Sequence, residues 1–237
     1  MKVIFRVDAS LQIGTGHVMR CLCLAEALRK GGDDVEFICR QHNGSLVNKI
    51  RLAGFNIYEL ELLKNSKVDN KLFHSSWLGV TQQKDSYDCI KILKKVKTDW
   101  LIVDHYGLDK DWQIELKSYC KKIMVIDDLG DRMHDCNLLL DQNFGSTQAK
   151  YQGLVKKYCK IIAGPNYALL RDEFLQWRDY SLKRREKKLQ INTILVTLGG
   201  VDSDNYTEKV LQMLAKCKLV MSTEIQVVMG ENSPHLS

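Results

Sequence analysis

Short apolar runs rich in β-branched residues alternate with amphipathic stretches along most of the chain. Val3–Val7, Val35–Cys39, Asn56–Leu60, Trp100–Asp104, Ile123–Asp127, Leu138–Leu140 and Lys160–Ala163 read as strands. Helical periodicity falls between them, at about 17–30, 45–53, 85–97, 110–121 and 149–157. In the first of these, Leu22, Ala25 and Leu28 share one helix face, and Gly31-Gly32 supplies the stop. The run Trp100-Leu101-Ile102-Val103 is apolar at every position, the pattern of a parallel strand covered on both faces. The βαβ order predicts an α/β protein with a doubly wound parallel, Rossmann-like sheet. The polar segment 62–84 reads as an irregular excursion from that sheet.

The pattern restarts near the end. Asn192–Thr197 is a strand, Leu198-Gly199-Gly200-Val201-Asp202 a Gly-rich turn, Ser203–Lys216 a helix and Glu224–Met229 a strand. The predicted organisation is a Rossmann-like domain over 1–177, a basic linker over 178–191, and the start of a second Rossmann-like domain over 192–237. A lone βαβ unit cannot cover both faces of its strands, so the second domain is expected to be incomplete in this chain.

Composition removes several function classes. The net charge of +6 is mostly local, since residues 178–188 hold six basic side chains against two acidic ones. A short basic stretch of this kind is a solvated helix end or linker, and no nucleic-acid-binding motif accompanies it. No apolar run reaches the roughly 18–20 residues of a membrane-spanning helix. Arg6 and Asp8 interrupt the N-terminus before a signal-peptide core forms, which predicts a cytoplasmic protein. The eight cysteines show no CxxC and no zinc spacing. Six of them sit singly among apolar residues, where Cys acts as a small hydrophobe, so reduced thiols and no metal are expected. His42, His74 and His134 have no partner pattern and read as surface or loop residues.

Three predicted strands end in polar residues suited to chemistry. The first leads into Asp8-Ala9-Ser10-Leu11-Gln12-Ile13-Gly14-Thr15-Gly16-His17. A dinucleotide fingerprint needs three glycines directly after the strand, but here Met19 occupies the third position and Arg40 stands where an acidic ribose partner would. No nicotinamide or flavin cofactor is expected. Gly14 and Gly16 instead permit close backbone approach by a ligand, and His17 opens a helix, where the positive end of the macrodipole favours a neutral base. A capping histidine is the plainer alternative. Asp104-His105-Tyr106-Gly107 and Asp127-Asp128 end two further strands on the same sheet edge, although each also suits a turn or cap.

Several motifs in order along the chain carry a resemblance. They are Arg6-x-Asp8 with Gln12-Ile13-Gly14-x-Gly16-His17 and Arg20, Ile102-Val103-Asp104-His105-Tyr106-Gly107, Asp127-Asp128, Gly164-Pro165-Asn166-Tyr167-Ala168-Leu169-Leu170-Arg171-x-Glu173-Phe174, and Thr197-Leu198-Gly199-Gly200-x-Asp202-x-x-Asn205. Together they resemble the UDP-2,4-diacetamido-2,4,6-trideoxy-β-L-altropyranose hydrolases of pseudaminic acid biosynthesis, which are similar to two-domain GT-B glycosyltransferases. The resemblance implies a UDP-sugar substrate, no metal or redox cofactor, His17 as catalytic base and Asn205 as a substrate contact. Gly14, Gly16, Asp104, His105, Tyr106, Gly200 and Asp202 are the accompanying substrate-binding candidates, with Asp104, His105 and Tyr106 expected to position the sugar. A GT-B glycosyltransferase using the same donor, or a non-catalytic UDP-sugar-binding module, are the alternatives.

Overall fold

The computed structural model describes residues 1–237 except 63–67, 69, 187–190, 200, 220, 221, 231, 232 and 237. The chain divides into two compact units, one of Met1–Ile13 with His17–Leu169 and one of Gly14–Gly16 with Leu170–Ser237.

The first unit holds a seven-stranded, wholly parallel sheet made by β1 (Lys2–Val7), β2 (Asp34–Arg40), β3 (Asn56–Leu60), β4 (Thr98–Asp104), β5 (Cys120–Ile126), β6 (Leu138–Asp141) and β7 (Lys160–Ala163). Its order, β3-β2-β1-β4-β5-β6-β7, reverses direction between β1 and β4, and Val7 stands beside Asp104 there. Ligands of open α/β sheets bind at such a switch point, beyond the carboxyl ends of the strands.

Successive strand residues feed opposite cores. Val3, Phe5, Val7, Phe37 and Cys39 pack against Val18, Cys21, Leu22 and Ala25 of α1 (Gly16–Lys30) and Ile50 of α2 (Val47–Leu52). Ile4, Ile38, Leu101 and Val103 face Cys89 and Leu93 of α3 (Gln82–Leu93) and Trp112 and Leu116 of α4 (Lys110–Leu116). Thr81 caps α3 by accepting from Lys84 N–H, and Asp109 caps α4 through Asp111 N–H. Leu101, Ile102 and Val103 are buried, as expected of a strand covered on both faces, and within that run only Trp100 is part-exposed. On the α1 side Trp100, Ile102, Met124, Leu138, Leu140 and Ile162 line an open apolar groove of about 360 Å³.

Two local expectations change. No α-helix forms over 149–157; a 3₁₀ turn at Gln148–Tyr151 stands there and Gly153 takes φ +79°. Tyr151 is tied into the strand ends here, its buried hydroxyl sharing one proton between Asp127 O (2.8 Å) and Asp141 Oδ2 (3.0 Å). Within 62–84, Ser75–Leu78 form a 3₁₀ turn and α3 already begins at Gln82.

In the second unit, α5 (Asp172–Glu186) has no buried residue. The basic stretch expected as a linker begins inside this helix, and residues 187–190 of it lie outside the described residues. Beyond it, β8 (Thr193–Val196) pairs in parallel with β9 (Glu224–Val227), and α6 (Tyr206–Leu214) connects them. No described helix is long and apolar enough to cross a membrane.

Candidate active site

The sheet reversal brings the end of β4 against the start of α1. His17 Nδ1 lies 2.6 Å from Asp104 Oδ1, a carboxylate with no exposed surface. Arg20, one helical turn further along α1, donates from Nε to Asp104 Oδ2 and from Nη2 to Oδ1, both at 2.6 Å. Its Nη1 reaches Asp128 Oδ2 at 3.0 Å, and the Tyr106 hydroxyl donates to Asp128 Oδ1. Burial alone would raise the Asp104 pKa, but His17 and Arg20 outweigh it and hold the carboxyl well below the usual range. Burial and the bond to Asp128 together push the Tyr106 phenol up, keeping it a neutral donor.

Aromatic rings complete the wall around His17. Tyr106 meets the imidazole edge-on at 4.5 Å between centroids, and Trp77 does so at 6.3 Å. Trp77 stacks on Tyr106 at 5.7 Å, and His74 packs on Trp77 at 4.3 Å. His17 Nε2 makes no hydrogen bond among the described residues.

A second ionic cluster lies beneath the site. Arg6 and Asp8 at the end of β1 are fully buried with Arg40 and Asp85. Arg6 donates to Asp8 Oδ1 (2.6 Å) and to both oxygens of Asp85, while Arg40 Nη2 reaches Asp85 Oδ2 at 2.8 Å. His105 faces this cluster. Its Nδ1 accepts from Gly107 N–H (3.0 Å) and its Nε2 lies 3.4 Å from Asp8 Oδ2. Of the Asp104-His105-Tyr106 group expected to position a sugar, Asp104 and His105 are therefore turned inward, and only Tyr106 is partly exposed. The backbone needs this arrangement, since Leu101 to Asp104 run straight through the core and the next side chain alternates into the opposite layer.

Among proteins of known sequence, the chain is 32% identical over its full length to the UDP-2,4-diacetamido-2,4,6-trideoxy-β-L-altropyranose hydrolase of Campylobacter jejuni, spanning 72% of that protein. The chain belongs to that hydrolase's family. It is 25% identical to the spore coat polysaccharide biosynthesis protein SpsG of Bacillus subtilis, over 96% of this chain and 59% of that protein. An uncharacterized protein of Methanocaldococcus jannaschii is 26% identical over 97% of this chain and 43% of its own length. No family model matches. Among solved structures, MurG of Acinetobacter baumannii superposes with a TM-score of 0.57 at 13% identity, over 96% of this chain and 67% of that one. The fold is therefore the GT-B-like α/β fold expected from the sequence.

For a member of this hydrolase family, the remaining candidates lie in two Gly-rich loops. Gly14 adopts φ +79° in the loop before α1, a conformation that suits glycine. Ser10 Oγ organises that loop by accepting from Gln12 and Ile13 N–H at 3.1 and 2.9 Å. In the second unit Asn205, at φ +53°, is the N-cap of α6, and Asp202 accepts from Tyr206 and Thr207 N–H, both at 2.9 Å. Both side chains thus shape the Gly-rich turn in which they were expected to touch substrate. Gly200 lies outside the described residues.

Sequence reasoning missed Trp77 and His74, which sit in the segment read as irregular, and gave Arg20 no role. An aromatic pair three apart before a predicted helix was the available signal. It also placed His134 at the surface, whereas His134 is 2% exposed, with Gln113 Nε2 3.0 Å from its Nδ1.

Proposed function

We propose that this chain is a hydrolase acting on a UDP-linked 2,4-diacetamido-2,4,6-trideoxy sugar, releasing UDP and the free sugar for pseudaminic acid biosynthesis. The observation that carries the reading is His17 Nδ1 against the buried Asp104 carboxylate at the sheet's switch point, with Nε2 unbonded. Water attacks the anomeric carbon while Nε2 accepts its proton, and the C1–O bond breaks to leave the negative charge on UDP. A positioned base of this kind contributes about 10²–10⁴-fold. Backbone N–H groups and helix N-termini are the groups that stabilise an anionic leaving group of this kind. Tyr106 and Trp77 offer ring faces to the sugar, and Asn205 is assigned to substrate by the family resemblance.

Displacement is direct and inverting in this reading. Asp104, bonded to His17, and Asp128, joined to it through Arg20, are both held by the Arg20 guanidinium, so neither is a free nucleophile. His17→Asn and His17→Leu should lower kcat by about 10²–10⁴-fold with KM little changed. Most of the activity surviving in either variant would remove His17 from this role. Hydrolysis in ¹⁸O-water should label the sugar and leave UDP unlabelled; label in the phosphate would mean attack at phosphorus and a different site.

A further inference from the structure

We infer that Asp104 is a positioning residue that holds His17 in the Nδ1–H tautomer, leaving Nε2 as the reacting nitrogen, and that Arg20 holds Asp104 to that task. This deepens the proposed hydrolysis and rests on its assignment of His17. The argument starts from donor and acceptor chemistry. An ionised carboxylate only accepts, so the 2.6 Å contact between Asp104 Oδ1 and His17 Nδ1 needs the proton on Nδ1. Asp104 stays ionised although buried, because Arg20 donates to both of its oxygens and Cys21 Sγ lies 3.4 Å from Oδ2. Arg20 Nη2 also lies 3.5 Å from His17 Nδ1, but its bond to Asp104 Oδ1 is far shorter at 2.6 Å, so that proton belongs to the carboxylate.

The arrangement is held from outside as well. Arg20 is anchored at its other end by Asp128, which Tyr106 binds in turn, and Tyr106 packs edge-on against the His17 ring. Sliding or flipping the imidazole would break contacts on both sides. Asp104 itself has no exposed surface and so cannot reach a substrate; its influence runs through His17.

Asp104→Asn makes a specific demand. The amide brings one NH₂ group into a shell of donors: Arg20 Nε and Nη2, Cys21 Sγ and the imidazole. Only the imidazole changes readily from donor to acceptor, by moving its proton to Nε2. The variant is therefore expected to carry the reversed tautomer and to present no base.

The test is long-range ¹H–¹⁵N correlation on the full chain labelled at its six histidines, with His17 assigned by its loss in His17→Asn. Wild type should show a protonated Nδ1 and an unprotonated Nε2, and Asp104→Asn should reverse them. With substrate, kcat of the variant should fall about 10³–10⁴-fold, the cost of an amide behind a general-base histidine, at unchanged KM. An Nε2–H tautomer in wild type, or a folded Asp104→Asn protein that keeps the Nδ1–H form, overturns the inference. Should Asp104→Asn fail to fold, the wild-type spectrum still decides. Absence of UDP-sugar hydrolysis by wild type would sink the proposed function while leaving the tautomer result standing.

Discussion

Asp85 gathers Arg6, Arg40 and the Trp112 indole around one buried carboxylate, with oxygen–nitrogen distances of 2.6–3.1 Å. Burial would raise its pKa, but Arg6 and then Arg40 outweigh that and hold the carboxyl below its ordinary value. Asp85→Asn keeps the shape and leaves two buried guanidiniums short of charge, which should cost about 3–5 kcal/mol. A urea midpoint equal to that of wild type would show that the cluster does not need the charge. His134 makes the complementary case. Burial, reinforced by Arg132, pulls its pKa down to about 4, and Gln113 Nε2 donates to Nδ1, where a second proton would clash. The unfolded ring titrates near 6.5, so the neutral ring's stabilisation is complete above that pH and is lost as pH falls towards 4. The linkage amounts to about 3 kcal/mol. His134→Gln should flatten the pH dependence of stability between 6.5 and 4 relative to wild type; an unchanged slope would locate the acid sensitivity elsewhere. Neither residue was legible beforehand, because what makes them matter is a partner 20 to 80 positions away.

At the scale of elements, the α6 turn separates shape from chemistry. Asp202→Ala removes the acceptor of two N–H groups in the first turn of α6 and should lower the urea midpoint of the second unit. Asn205→Gly keeps the left-handed backbone and should cost only a few tenths of a kcal/mol. Any larger loss of kcat/KM in that variant measures the amide's contact with substrate, and full activity would confine Asn205 to capping. Elements with strong local signals were readable: β1, β4 and α1 lie within a few residues of their expected bounds. The expected helix over 149–157 was not: local periodicity does not report a tertiary tie such as that of Tyr151 to Asp127 and Asp141 at the strand ends.

At the scale of the molecule, the two units differ in how they are held. The first has a sheet with two cores, while α5 at the start of the second presents every large apolar residue and its Arg178, Lys183, Arg184 and Arg185 to solvent. Trypsin should therefore cut first within α5 and leave the sheet unit intact as a cooperatively folded fragment. Initial cleavage inside 98–163 would contradict this. The alternation of apolar runs, the punctuating glycines and the motif order determined the α/β class, the parallel sheet and the candidacy of His17, since these depend on spacing within a few residues. Tertiary structure alone decided what surrounds His17. The reversal of strand order sets β4 beside β1, which buries Asp104 under the imidazole, turns His105 inward towards Asp8, and brings Trp77 from an unpatterned segment to the ring. Which polar side chain meets which depends on strand order and on the two faces of a strand, and spacing along the chain carries neither.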